Sequence, residues 1–385
     1  MAFFVHCFGR MVRIKPINAC NPFPYLRRGS INLPANYNRR LRAAIIEAFG
    51  ASERITVVIG QATAKASPNI AFIKYWGNRD DQLRLPANPS LSMNLGGLYA
   101  ETVVSWLEAG GGDSFRLNGR DERGAALERV SAHLDALRRR LGVDSPARVE
   151  SSNNFPTGAG IASSAAAFAA LTVAAVAAAG ATLSERELTT LARLGSGSAA
   201  RSVPTGFVEW HAADTHEGSY AESIAEPDAW ELVDVIAVVS REHKPVGSSA
   251  GHRSANTSDL QAARVAGAEA RLETCKQAVL DRDFAAFAEV VEHDSNLMHA
   301  VMMTSRPPLF YWLPPTLTIM DSVRRWRAEG LQVCYTLDAG PNVHCICARS
   351  DAEEVSNRLH ALSEILDVLH APPGANATVI SVNIP

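Results

Sequence analysis

The sequence predicts an α+β protein of two domains, and three observations carry that expectation. Apolar runs of strand length recur at residues 55–59, 98–106, 232–239, 331–337 and 343–348. Longer stretches with helical periodicity lie between and after them, at 122–141, 258–280, 284–299, 316–329 and 352–369. Acidic residues and proline at 222–228 part the two halves, which sets the boundary at Glu231. The expected domains are therefore a basic extension over 1–54, an N-terminal domain over 55–230 and a C-terminal α+β domain over 231–385.

The extension carries Arg10, Arg13, Lys15, Arg27, Arg28, Arg39, Arg40 and Arg42, with no acidic residue until Glu47. It lacks the apolar centre of a secretory signal and reads as a loosely ordered arm, with an organelle-targeting peptide or a basic contact surface as alternatives. The chain as a whole has 385 residues, of which 47% are hydrophobic and 20% charged, as in ordinary soluble globular proteins. A net charge of -3 gives no general reason for binding nucleic acid or an acidic membrane. Any affinity for phosphate must then be local. Six cysteines, at 7, 20, 275, 334, 345 and 347, lack paired metal-binding spacing and read as reduced thiols of a cytoplasmic protein. Cys345 and Cys347 share one face of a strand, where burial is preferred over metal.

The strands at 55–59 and 98–106 and the helix at 122–141 lead to Pro156-Thr157-Gly158-Ala159-Gly160-Ile161-Ala162-Ser163-Ser164-Ala165-Ala166. Glycines ahead of a helix let backbone N–H groups converge on an anion, and the helix start adds unpaired donors and a positive dipole end. Gly158, Gly160, Ser163 and Ser164 are thus candidates for holding phosphate and magnesium; a plain helix-capping loop is the alternative. The run 165–181 is mostly alanine, which favours a tightly packed buried helix over a membrane span. Ser184-Glu185-Arg186-Glu187 supplies a capping box for a helix that Gly195 closes. Next comes the small-residue loop 195–202, in which Arg201 either faces the first loop or stays solvated.

In the second half, Asp351 and Glu354 occupy cap positions for the last helix. Asp338 ends an apolar strand at a turn rich in glycine and proline. There it either accepts a proton from a hydroxyl or merely caps the turn. Lys74 lies among apolar neighbours, where it either neutralises phosphate and tunes a carboxylate or snorkels to the surface.

Four segments together resemble the mevalonate diphosphate decarboxylase family: Asn69-Ile70-Ala71-Phe72-Ile73-Lys74-Tyr75-Trp76-Gly77, Asn153-Asn154-Phe155-Pro156-Thr157, the 195–201 loop and Tyr335-Thr336-Leu337-Asp338-Ala339-Gly340-Pro341-Asn342. That family belongs to the small-molecule (GHMP-type) kinase superfamily, with galactokinase, homoserine kinase and mevalonate kinase. The resemblance spans roughly residues 63–347 and includes Asp294-Ser295-Asn296 and Pro307-Pro308.

The resemblance implies a two-domain fold with an ATP site under the glycine loop and the substrate in the cleft between domains. It further implies ATP-dependent phosphorylation of the 3-hydroxyl of a 5-phosphorylated mevalonate, then loss of carbon dioxide and phosphate. On that basis Asp338 orients or deprotonates the hydroxyl, and Arg201 binds the substrate carboxylate, which suits its planar fork. Lys74 and Tyr75 stand beside the reacting groups, with Asn69 positioning them. Gly158, Gly160, Ser163 and Ser164 hold ATP and magnesium, while Ser196, Ser198 and Ser248 receive the 5-phosphate end. A homodimer is also implied.

Two positions depart from the family's pattern. Where its members carry a second lysine after Tyr-Trp-Gly, for the terminal phosphate, this chain has Asn78, and His252 stands where a methionine is usual. A lost charge-assisted contact costs about 1.5 to 3 kcal/mol, or tenfold and more in affinity. The expected substrate is therefore mevalonate 5-phosphate, giving isopentenyl phosphate, with mevalonate 5-diphosphate as the alternative and Arg79, His252 or Arg253 as replacement cations. A mevalonate 3-kinase or a non-catalytic homologue is opposed by the presence of Asp338 and Arg201.

Overall fold

The computed structural model describes residues 3–7, 10–14, 58–108, 111–155, 161–242 and 247–384. The chain forms two units, Met1–Val57 and Val58–Pro385. In the first, strands Phe3–Cys7 and Arg10–Ile14 pair antiparallel; the rest of the expected basic extension, and residues 55–57 of the first expected strand, lie outside the described residues.

Within the second unit, a six-stranded sheet runs in the order Arg120–Glu122, Ser114–Leu117, Ala147–Asn153, Ala100–Leu107, Val58–Ala66, Thr378–Asn383. Along Val58–Ala66 the alternation of buried Ala62, Ala64 and Ala66 with less buried Gln61, Thr63 and Lys65 is a half-buried strand pattern written in small residues. Helix Ser163–Ala178 packs on this strand and its neighbour. Its alanines allow a close approach: a Cβ at Gly60 would lie 2.1 Å from the Ala178 carbonyl oxygen. The helix is buried nearly all round, as a core element is. No helix among the described residues is long and apolar enough to cross a membrane.

A second sheet, Ala221–Ala225, Phe207–Trp210, Ser90–Asn94, Asn69–Ile73, lies beside the first in sequence. The third, Val333–Thr336, Val343–Ala348, Leu232–Val238, Asp367–Ala371, belongs to the second half. One face of it, with Val233, Val235, Val333, Val343, Cys345 and Cys347, packs against helices Pro314–Ala328 and Ala352–His360. The two cysteines are therefore buried core thiols.

The boundary expected at residue 231 is crossed by the chain's last strand. Thr378–Asn383 returns to pair with Val58–Ala66, so this C-terminal piece completes the N-terminal sheet. The helix expected over 352–369 stops at His360, and Asp367–Ala371 is an edge strand paired to Leu232–Val238. Asp351 holds the N-cap position as expected but makes no side-chain cap bond; its carboxylate accepts the Gln332 N–H at 2.7 Å. The expected 258–280 helix is two, Gln261–Ala266 and Ala268–Asp281, interrupted at Gly267. Ser184 and Glu187 do form the capping box, and helix Glu185–Gly195 ends where expected.

Candidate active site

A cavity of about 640 Å³ opens between the two halves. Strand Asn69–Ile73 leads into it and delivers Lys74, whose backbone is tied on both sides. Its N–H donates to Asp294 Oδ2 at 2.6 Å, and its carbonyl accepts from Asn88 Nδ2 at 3.0 Å. With the main chain fixed, the ammonium reaches Asp338 Oδ1 at 2.7 Å. Lys74 is only 1% exposed, so it does not snorkel. Burial pushes its amine below the usual lysine value, with the Asp338 charge opposing most strongly. Burial alone would raise the Asp338 carboxyl, but Lys74, and then His344, outweigh it and hold the group below the ordinary carboxylate range.

Asp338 does not use its carboxylate to cap its turn. Asn342 pins that turn instead, its Oδ1 accepting the N–H groups of Val239 at 2.8 Å and Ser240 at 3.1 Å. Ser295 Oγ accepts the Leu337 N–H at 3.0 Å and steadies the other side.

Arg201 lies on the tight helical turn Gly197–Ser202 and is 3% exposed, which removes the solvated alternative. Its Nη1 donates to Ser90 Oγ at 2.6 Å and its Nε to Asn69 Oδ1 at 3.3 Å. Asn69 in turn donates to Ser202 Oγ at 2.8 Å and to the Ser198 carbonyl at 3.1 Å. Asn69 was expected among the substrate-binding residues, yet it is not part of the cavity wall. Its amide is spent holding the Arg201 turn.

Tyr75 stacks on His252 with ring centroids 4.1 Å apart and meets Trp210 edge-on. A Cβ at residue 197 would fall 2.5 Å from the Tyr75 ring, so glycine is required there. Ser163 and Ser164 begin their helix on the cavity wall, and Ser164 Oγ lies 3.1 Å from Ser196 Oγ. Ser196 and Ser198 line the cavity as well. Gly158 and Gly160 lie outside the described residues, as does the Ser248 side chain, although its helix Ser248–Ser254 brings Ala250, His252 and Arg253 to the wall.

The departures noted in the sequence have definite surroundings. Asn78 Oδ1 accepts the Tyr75 hydroxyl, and its Nδ2 donates to Asp81 Oδ1 at 2.7 Å. Arg79 turns to Asp214 at 2.8 Å. His252 Nδ1 accepts the Gly77 N–H at 3.0 Å. Arg84 and Arg129 also line the cavity, and sequence reasoning missed both. Asp294 was visible only as part of a motif, without its task of anchoring Lys74. Nothing about Arg84 in the sequence marks it, because the Leu194 carbonyl that fixes its guanidinium is 110 residues away.

The sequence family described as Diphosphomevalonate decarboxylase-like N-terminal domain matches residues 66–221, and that described as Mevalonate 5-diphosphate decarboxylase C-terminal domain matches 234–372. The chain belongs to the mevalonate diphosphate decarboxylase family. A curated relative, diphosphomevalonate decarboxylase mvd1 of Aspergillus fumigatus, is 39% identical over 78% of this chain and 80% of its own length. The diphosphomevalonate decarboxylase of Danio rerio is 39% identical over 76% of this chain and 77% of its own. Among solved structures, mevalonate diphosphate decarboxylase from Staphylococcus aureus superposes with a TM-score of 0.79 at 35% identity, covering 83% of this chain and 98% of that one. A complex of MDDEF with MVAPP, AMPPCP and magnesium matches with a TM-score of 0.79 at 34% identity, over 83% of this chain and 99% of that one. The small-molecule (GHMP-type) kinase fold expected from the motifs is thus borne out.

Proposed function

We propose that this protein catalyses the ATP- and magnesium-dependent decarboxylation of mevalonate 5-diphosphate to isopentenyl diphosphate, in isoprenoid biosynthesis. The observation that carries it is the Lys74–Asp338 ion pair on the wall of a cavity that Arg201 and Ser164 also line. The relatives' names correct the substrate expected from Asn78: they favour the diphosphate alternative over the monophosphate.

The cavity wall fits a nucleotide. Phe115, Leu117, Val130, Val149, Phe168 and Leu171 form an apolar lobe suited to a purine, with Ser163 and Ser164 at a helix start for its phosphates and magnesium. Bound magnesium neutralises phosphate charge. Arg201 grips the substrate carboxylate, and Ser196, Ser198 and Ser248 take the phosphorylated end. Asp338 accepts the proton of the 3-hydroxyl as that oxygen bonds to the terminal phosphorus of ATP, releasing ADP. Lys74 keeps Asp338 ionised and balances the charge that gathers there. Then the bond from the carboxyl carbon to the chain breaks, its electron pair forms the double bond, and the 3-oxygen leaves as phosphate with carbon dioxide. Hydroxide would be a far poorer leaving group.

Purified protein mixed with ATP, magnesium and each mevalonate phosphate tests the assignment through carbon dioxide and ADP. Release of both with the diphosphate is expected. ADP without carbon dioxide would make it a 3-kinase, neither product a binding homologue, and carbon dioxide from the monophosphate alone would restore the other substrate. The homodimeric state implied by the resemblance and the cytoplasmic location read from the cysteines are proposals too, tested by sedimentation and by fractionation.

A further inference from the structure

Lys74, Tyr75 and Trp76 line the cavity, and an arginine that does not line it grips their main chain. Arg264, on helix Gln261–Ala266, is 2% exposed. Its Nη2 donates to the Trp76 carbonyl at 2.7 Å and to Asn88 Oδ1 at 2.8 Å, and its Nη1 donates to the Lys74 carbonyl at 3.3 Å. One planar fork thus bridges two carbonyls on either side of Tyr75. Its Nε donates to Gln261 Oε1 at 3.2 Å, and Gln261 Nε2 donates to the same Trp76 carbonyl at 2.8 Å.

The grip closes into a ring. Arg271 Nη2 donates to the Arg264 carbonyl at 2.6 Å, while its Nε meets Asp294 Oδ1 at 2.6 Å. Asp294 Oδ2 accepts the Lys74 N–H at 2.6 Å, so the peptides on both sides of Lys74 lead back to Arg264.

The four oxygens that Arg264 bonds are neutral: two main-chain carbonyls and the side-chain amides of Asn88 and Gln261. A cation buried without a carboxylate against it costs stability, and burial lowers Arg264 to about 10, with the charge of Asp294 opposing. What the guanidinium supplies in return is a rigid bridge between the Lys74 and Trp76 peptides, and rigidity there fixes the direction of the Lys74 side chain.

We propose that Arg264 is a positioning residue: by bridging the Lys74 and Trp76 carbonyls it holds the Lys74 ammonium 2.7 Å from Asp338, from outside the cavity wall. The inference rests on the reaction assigned above, so one readout needs no turnover. The full chain is compared with Arg264→Met, which removes the charge and the fork, and with Arg264→Lys, which keeps the charge but cannot bridge both carbonyls. A misplaced Lys74 predicts kcat lower by about tenfold to a hundredfold in Arg264→Met and by about threefold to tenfold in Arg264→Lys. KM for the diphosphate and for ATP should stay within about threefold, because Arg264 is not on the cavity wall. Against burial, Lys74 leads His344 and Arg201 in holding Asp338 below the ordinary carboxylate range, and His299, lowered to about 3 by burial and then by Lys74, is neutral above that pH. Displacing Lys74 lets the Asp338 value rise, so the acid limb of kcat moves to higher pH in both variants. Lysine keeps the charge, and a shift common to both therefore comes from geometry. Carbon NMR of the Asp338 carboxyl, assigned by its absence in Asp338→Asn, reads the same rise with no ligand present. A purely structural Arg264 would lower the melting temperature and leave kcat per folded molecule, the acid limb and the Asp338 titration as in the parent; that result, or a raised KM with kcat intact, overturns the proposal. Should Arg264→Met fail to fold, parent-like kcat and Asp338 titration in folded Arg264→Lys overturn it equally. A parent that turns over neither mevalonate phosphate sinks the functional assignment, while the Asp338 titration still decides the role of Arg264.

Discussion

Lys74 and Arg201 are cations on the wall of one cavity, nearly equal in burial and opposite in company. Lys74 faces a carboxylate that the fold supplies, Asp338 at 2.7 Å. Arg201 finds the Ser90 hydroxyl, the Asn69 amide oxygen and, with its guanidinium carbon 5.7 Å from the ring centroid, Trp210. An isolated buried cation costs several kcal/mol, and neutral oxygens repay only part of it. Burial accordingly lowers Arg201 to about 10, with the charge of Asp338 opposing from beyond hydrogen-bond reach. The difference teaches which end is closed and which is waiting. Where the partner is built in, the cation tunes that partner; where it is not, the site retains attraction for an anion brought from outside.

The strongest way to break this contrast is Asp338→Asn. It removes the proton acceptor and strips Lys74 of its counter-charge, so turnover should fall by about 10²- to 10⁴-fold while binding of an ATP analogue persists. Carbon dioxide release and calorimetry read the two parts, and near-normal release would refute the assignment. Arg201→Ala should raise KM by about tenfold to a hundredfold if, as proposed, the lost contact is made to substrate. Arg201→Lys should recover little of it, because one ammonium cannot reproduce the fork that meets both Ser90 and Asn69. Steady-state kinetics with unchanged KM in both variants would leave Arg201 structural only.

Surplus positive charge should also appear in the pH dependence of stability. His133 is depressed to about 3 by burial and then by Arg129 and Arg84, and His299 to about 3 by burial and then by Lys74. Both folded values lie below the unfolded value of 6.5, so the unfolded chain binds more protons as pH falls. Their contribution is complete above pH 6.5 and is lost progressively on descent toward 3. Denaturant titrations across that window should show the decline, and His133→Phe should flatten it. The smallest effect expected is from Ser184→Ala, which breaks the capping box of helix Glu185–Gly195. It should cost about 1 kcal/mol in denaturant titration with kcat unchanged, which separates loss of stability from loss of the site.

Much of the site was legible in the chain because its parts are local. Asp338 stands at the end of an apolar strand, and Lys74 sits among apolar neighbours. Ser163 and Ser164 open an alanine-rich helix, and the box at Ser184 and Glu187 carries its own geometry within four residues. Strand Asn69–Ile73 escaped notice as a strand because it is buried throughout and shows no alternation. Strand Asp367–Ala371 reads in sequence as the end of a helix for the converse reason. Its Val368 and Leu369 continue the apolar spacing of the preceding turns, and only pairing with Leu232–Val238 makes it extended.

Residue types and short spacings determined by themselves the α+β class, the resemblance, and the choice of Asp338 and Arg201 as candidate site residues. Tertiary structure alone decided which charges meet. It joined Lys74 to Asp338 across 264 residues, set the Asn69 amide against Arg201, and carried Thr378–Asn383 back to the first sheet. The physical reason is that local propensity is set by neighbours in sequence, whereas a Coulomb interaction depends on distance and burial in space, which one-dimensional order does not contain.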